Sequence, residues 1–190
     1  MNSQKKYEIV FLDVCGTLVV ENTTHALLLK LSYRNWMIKI YLSIVCRFFG
    51  ILLNKVFGYD IYRNFLLRMS ISRSSEEEIS EISKDLISDL TFNQDFIQKV
   101  LLKHRDAKII LLSASLSPIV QQICAHLDFD GFYASELEVK NKKYTGKLRS
   151  DLLGRKSEIL KNYREFRCIF YSDNVEDRQC QEFVSTYVEV

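Results

Sequence analysis

Three short, almost unbroken apolar runs punctuate the chain. They fall at residues 7–12 (ending Ile9-Val10-Phe11-Leu12), 108–113 (Lys108-Ile109-Ile110-Leu111-Leu112-Ser113) and 167–171 (Arg167-Cys168-Ile169-Phe170-Tyr171). Their length and β-branched content predict strands buried on both faces, and residues 186–190 predict a last edge strand. Helical periodicity fills the intervals. Ser117-Pro118 predicts an N-cap and first-turn proline for a helix through Leu127. Ser74 with Glu77 predicts a capping box opening a helix to about Leu90, with Ile79, Ile82, Leu86 and Leu90 on one face. Buried strands joined by helices predict an α/β fold, a Rossmann-like parallel sheet with helices on both faces. About 90 residues separate the first two strands, far more than one crossover needs. Residues 21–98 are therefore expected to be an α-helical cap, and residues 1–20 with 99–190 the core.

Composition narrows this picture. At 190 residues, 47% hydrophobic and 26% charged, the chain suits one α/β core plus an insertion. A net charge of +2 and no long Lys/Arg stripe argue against a nucleic-acid partner. The five cysteines form no C-x-x-C pair, which argues against structural zinc and fits reduced thiols in a cytoplasmic setting. The start, Met1 to Lys6, has no apolar leader pattern. Residues 22–59 hold no Asp or Glu but carry Lys30, Arg34, Lys39, Arg47 and Lys55 among many apolar residues. Lys39 and Arg47 interrupt this stretch too often for a membrane-spanning helix. Two readings remain open for it: a buried pair of cap helices, or peripheral contact with an anionic membrane surface.

The candidate chemistry gathers at strand ends, where open α/β sheets bind ligands. Asp13 follows the first strand and is followed by Gly16-Thr17. An aspartate there serves as a nucleophile or metal ligand. Ser113 ends the second strand, with Ser115 a competitor. Lys156 opens a helix over 157–162 and offers a cation, with Lys147 its rival. Asp173 and Asp177 follow the third strand, one helical turn apart. No metal role is expected for His25, His104 or His126, which share no ligand spacing.

The segment Asp13-Val14-Cys15-Gly16-Thr17 resembles the first motif of the haloacid-dehalogenase-like superfamily, whose phosphatases carry Asp-x-Asp-Gly-Thr. Ser113, Lys156 and Asp173/Asp177 follow in the order and spacing of its other motifs. The insertion after the first motif is similar to the phosphoserine-phosphatase-like branch, and the apolar, basic cap resembles the phosphatidylglycerophosphatase C group. The resemblance implies a Mg²⁺-dependent phosphatase or phosphotransferase with an aspartyl-phosphate on Asp13. Asp13, Asp173 and the carbonyl of Cys15 would hold the metal, supported by Asp177. Thr17, Ser113, Ala114 and Lys156 would bind the phosphoryl group of a phosphorylated small molecule or lipid phosphate. Cys15 stands where the family's general acid belongs, and a thiol with a reference pKa near 8.5 replaces a carboxyl group poorly. The alternative is a protein that binds a phosphorylated ligand in a regulatory role without turnover.

Overall fold

The computed structural model describes residues 8–31 and 59–190; residues 32–58, most of the acid-free stretch, lie outside the described residues. Strand β1 (Glu8–Leu12) lies at the middle of a six-stranded sheet, which explains the apolar run Ile9–Leu12 that follows Glu8. On one side it pairs in parallel with β2 (Lys108–Leu116), with Leu12 opposite Leu111. On the other it pairs in parallel with β5 (Arg167–Ser172), with Leu12 opposite Tyr171. Outside β2 come β3 (Gly131–Lys140), parallel, and β4 (Lys143–Ser150), antiparallel. Outside β5 runs the parallel edge strand β6 (Thr186–Glu189). The order is β4-β3-β2-β1-β5-β6. The chain steps outward from β1 in one direction through β2 and β3, then restarts on the other side with β5. The topological switch point therefore falls between β1 and β5.

The period-two alternation of β1 sends Val10 and Leu12 into one apolar layer and Ile9 and Phe11 into the other. The first layer is covered by helices α1 (Thr23–Leu31), α2 (Tyr59–Ile71), α3 (Glu76–Leu86), α4 (Gln94–Lys103) and α5 (Ser117–His126). The second is covered by α6 (Lys156–Leu160) and a 3₁₀ segment, Val175–Phe183. Phe11 and Phe170 are fully buried there, and Phe11 meets Tyr163 edge-on at 5.1 Å. Each such aromatic contributes on the order of 1.5–3 kcal/mol through burial.

Among the described residues, no strand of the sheet lies between β1 and β2, only helices joined by turns, loops and isolated bridges. Leu18 to Glu21 and Thr91 to Asn93 pair with one another where the insertion leaves and rejoins the sheet. Val20 N donates to Thr91 O at 3.0 Å, and Asn93 N to Leu18 O at 2.9 Å. Helix α4 crosses the expected boundary at residue 98, and its Phe96 packs on Tyr171 of β5 at 5.6 Å.

Local expectations need three corrections. The cap of α3 is Ser75, which accepts from Glu78 N, one position beyond the expected Ser74–Glu77 box. Ser117 is the first helical residue of α5 and Leu116 its cap, because β2 runs on to Leu116. Pro118 does take a first-turn position. The sequence Tyr144-Thr145-Gly146-Lys147 reads as a strand edge and turn, but it is mid-strand, and the turn belongs to Asn141-Lys142, both at positive φ. Gly146 has φ +76° for a different reason: a Cβ there would collide with the backbone of Leu67 and Arg68 on α2. The hairpin thus presses directly against the insertion.

Candidate active site

Asp13 is the first residue past β1, and its N–H extends the ladder by donating to Tyr171 O at 2.9 Å. Its Oδ1 accepts from Val14 N (2.8 Å) and pairs with Lys156 Nζ (2.9 Å). Lys156 also donates to Asp177 Oδ2 at 2.6 Å. Ser172 Oγ donates to the same Asp177 oxygen (2.7 Å), with Asp13 Oδ2 3.4 Å away. Asp13, Lys156 and Asp177 are 4%, 3% and 2% exposed. Burial alone pulls the Lys156 pKa down, but the two carboxylates outweigh it and hold it above the ordinary lysine value. Burial likewise pushes the Asp13 carboxyl up, more than Lys156 lowers it. One ammonium against two carboxylates leaves a buried surplus of negative charge, which a bound cation would relieve.

Asp173 completes that acidic side. Its Oδ1 accepts from Thr17 Oγ1, and its N–H donates back to the same hydroxyl, both at 3.1 Å. Its carboxylate lies where a Cβ on Gly16 would sit, and Gly16 has φ +77°. Only glycine allows both the turn and this approach. Among the described residues no three His, Cys, Asp or Glu side chains converge into a ready metal cage. Mg²⁺ does not require one, because it keeps several waters and takes one or two carboxylates. Asp13, Asp173 and a backbone carbonyl are hard oxygen donors of that kind, so the residues fit the ion.

A cleft of about 160 Å³ is lined in part by Asp13, Cys15, Ser113, Ala114, Ser115 and Lys156, with Asp173 outside its lining. The pairing of β2 with β3 breaks between Leu112 and Leu116, and this irregular stretch carries Ser113, Ala114 and Ser115. Ser113 Oγ accepts from Ser115 N at 3.2 Å. The Ser115 hydroxyl turns elsewhere, to Cys15 Sγ at 3.1 Å and Thr23 Oγ1 at 2.8 Å. The Cys15 thiol is also approached by Thr23 N and Thr23 Oγ1, each at 3.4 Å.

Of the residues expected from sequence, Asp13, Cys15, Ser113, Ala114 and Lys156 meet in this cleft. Thr17 does not line it, because its hydroxyl is taken by Asp173. Asp177 does not line it either, and turns to Lys156 and Ser172. The rival Lys147 lies in a neighbouring cavity, and none of the histidines lines the cleft. Sequence reasoning missed Arg63. From α2 it grips both oxygens of Asp151 at 2.7 Å, donates to Ala114 O at 2.7 Å, and borders the cleft. It is 7% exposed. No motif marks it, since an arginine on a helix normally reads as solvated.

Lys156→Met should destabilise the protein by about 3–5 kcal/mol, because it leaves two buried carboxylates without their cation. Urea unfolding checks this. The cost should be greatest near neutral pH and shrink towards acid, where the carboxylates take up protons. It should also shrink on the alkaline side once wild-type Lys156, whose folded pKa lies above 10.5, loses its own proton.

The buried Asp13–Lys156–Asp177 cluster lies at the switch point of a mostly parallel α/β sheet, where such folds bind ligands. The chain belongs to the haloacid dehalogenase-like hydrolase family, whose profile it matches over residues 10–182. Solved structures share the fold. A protein of unknown function from Bordetella pertussis Tohama I superimposes with a TM-score of 0.76 at 16% identity, covering 97% of this chain and 90% of that one. A phosphoserine phosphatase in a phospho-aspartyl intermediate analogue form gives 0.61 at 17% identity, covering 98% and 95%. Cytosolic 5'-nucleotidase IIIB bound to cytidine gives 0.67 at 12% identity, covering 96% and 71%. No curated protein matches the sequence.

Proposed function

We propose that this protein is a Mg²⁺-dependent phosphatase or phosphotransferase in which Asp13 is the nucleophile. The observation that carries the reading is the buried Asp13–Lys156–Asp177 cluster beside a cleft walled by Ser113. An Asp13 carboxylate oxygen attacks phosphorus, the bond to the leaving oxygen breaks, and the phosphoryl group stays on Asp13 until water removes it. Lys156 and the Ser113 hydroxyl bind the phosphoryl oxygens, while Asp177, itself held by the Ser172 hydroxyl, keeps Lys156 in place. Thr17 orients Asp173. Asp13, Asp173 and the Cys15 carbonyl would hold Mg²⁺, which neutralises phosphate charge when bound; a carbonyl ligand is indifferent to the side chain at Cys15.

The departing oxygen needs a proton, and in this chain the nearest family position offers a thiol. Leaving groups that need little protonation, such as acyl and aryl phosphates, are therefore favoured. A second reading, ligand binding without turnover, draws its support from the same Cys15. A lipid phosphate substrate is a finer proposal that rests on the composition of residues 22–59 alone. Among the described residues no helix is long and apolar enough to cross a membrane. The test is phosphate release from acetyl phosphate and para-nitrophenyl phosphate. Turnover that requires Mg²⁺ and stops with chelator is expected; phosphate binding with no turnover of either compound would favour the second reading.

A further inference from the structure

Where β2 breaks register, it advances four residues, from Leu112 to Leu116, while β3 advances two, from Tyr133 to Ser135. Ser113-Ala114-Ser115 absorb the surplus as a bulge, a device that re-aims side chains beside active sites. Side chains hold this bulge in place. The Ala114 carbonyl accepts from Arg63 Nη2 at 2.7 Å and lies 2.9 Å from Ser135 Oγ. Arg63 Nη1 grips both Asp151 oxygens, and Ser135 Oγ lies 3.0 Å from one of them. Leu152 N donates to the Ser135 hydroxyl, and Leu153 N to Asp151. Ser135 is fully buried and Arg63 nearly so. Arg63, Ala114 and Leu153 all line the cleft, so one polar network joins the insertion, the bulge and the chain after β4. Helix α2, which carries Arg63, is itself seated on β4, where Gly146 meets the backbone of Leu67 and Arg68. The network ends one residue from Ser113. Ser113 Oγ accepts from Ser115 N, and among the described residues its own hydrogen has no acceptor, which leaves it for a ligand in the cleft.

We propose that Arg63 is a positioning residue for phosphoryl transfer, acting through the Ala114 carbonyl to aim the Ser113 hydroxyl at a phosphoryl oxygen. The inference rests on the phosphatase reading for its kinetic consequence, but not for its effect on phosphate binding. A planar guanidinium addresses the Asp151 carboxylate and the Ala114 carbonyl at once, whereas the single nitrogen of a lysine does not reproduce that fork. Without the fork the bulge loses its charged anchor, and a misplacement of about 1 Å costs on the order of a hundredfold in rate.

The test is a double-mutant cycle between Arg63→Lys and Ser113→Ala, read as Mg²⁺-dependent turnover of para-nitrophenyl phosphate. Arg63→Lys alone should lower kcat by about 10–100-fold with KM little changed. In the Ser113→Ala background the same substitution should change kcat by less than about twofold, because its target is already gone. A purely structural role would give the same loss in both backgrounds. That result, or wild-type kcat in Arg63→Lys, would overturn the inference. If Arg63→Lys does not fold, Ser135→Ala takes its place, since it removes the other group on the Ala114 carbonyl without touching a charge. It should show the same dependence on Ser113, and additive losses would again overturn the inference. Calorimetry with inorganic phosphate and Mg²⁺ separates this from the phosphatase reading. Phosphate binding weakened in each single variant and no further in the double, without wild-type turnover, would keep the positioning role and reject the phosphatase. Additive or unchanged binding in that case would reject the positioning role as well.

Discussion

Asp13→Asn protein should fold normally and lose at least about a thousandfold in turnover, the scale set by removal of other catalytic nucleophiles. The amide oxygen still accepts from Val14 N, and Lys156 keeps Asp177 as its partner at 2.6 Å. Burial already opposes the Asp13 charge, so neutralising it relieves desolvation while weakening one ion pair. The net stability change should stay within about 1–2 kcal/mol, a typical range for a point substitution. The contrast with Lys156→Met is informative: one change removes the nucleophile and spares the fold, the other leaves two acids unpaired. Steady-state phosphate release and urea unfolding, run on the same samples, check both halves. Residual activity near wild type in the asparagine protein would place the nucleophile elsewhere.

Cys15→Asp should raise turnover of alkyl phosphomonoesters by about 10²–10⁴-fold, the range supplied by a positioned general acid and base. The surroundings suit a carboxylate. Thr23 N, Thr23 Oγ1 and Ser115 Oγ already lie 3.1–3.4 Å from the sulfur. The half-buried position lets the new acid keep contact with the cleft. The gain should be largest for leaving alkoxides that need a full proton and small for acyl phosphates, which need none. A uniform gain across leaving groups would point to binding and not to proton transfer. No gain in a folded variant would mean that the Cys15 side chain does not take the acid's position.

Much of this was legible in the chain because burial on both faces leaves a strong signature. The cores of β1, β2 and β5 are almost unbroken apolar runs, and Asp13 and Asp173 follow β1 and β5 as expected, whereas Ser113 lies within β2, which continues to Leu116. The α3 cap moved by one residue because Ser74-Ser75 precedes Glu76-Glu77-Glu78, so two registers offer the same box. The β3–β4 hairpin was legible only as a strand edge and turn misplaced at Tyr144–Lys147, because it borders the sheet and mixes exposed charges with buried residues. Its remaining signal was Asn141, a residue that tolerates positive φ. At the site, sequence favoured Lys156 over its rival Lys147, and the fold sets Lys156 between Asp13 and Asp177 and Lys147 in the neighbouring cavity. Thr17 looked like a phosphate contact but is spent on Asp173. Arg63 lies far from Asp151 and Ala114 in sequence and meets them only after the insertion packs against the hairpin.

The central claim is a covalent phosphoryl group on Asp13. Wild-type protein incubated with Mg²⁺ and acetyl phosphate radiolabelled in the phosphoryl group, then quenched in acid, tests it most directly. Label should remain on the protein, be released by hydroxylamine as an acyl phosphate is, and be absent without Mg²⁺ and in Asp13→Asn. Equal label on wild type and Asp13→Asn would contradict the account, as would phosphate turnover in wild type with no trapped label under any quench time.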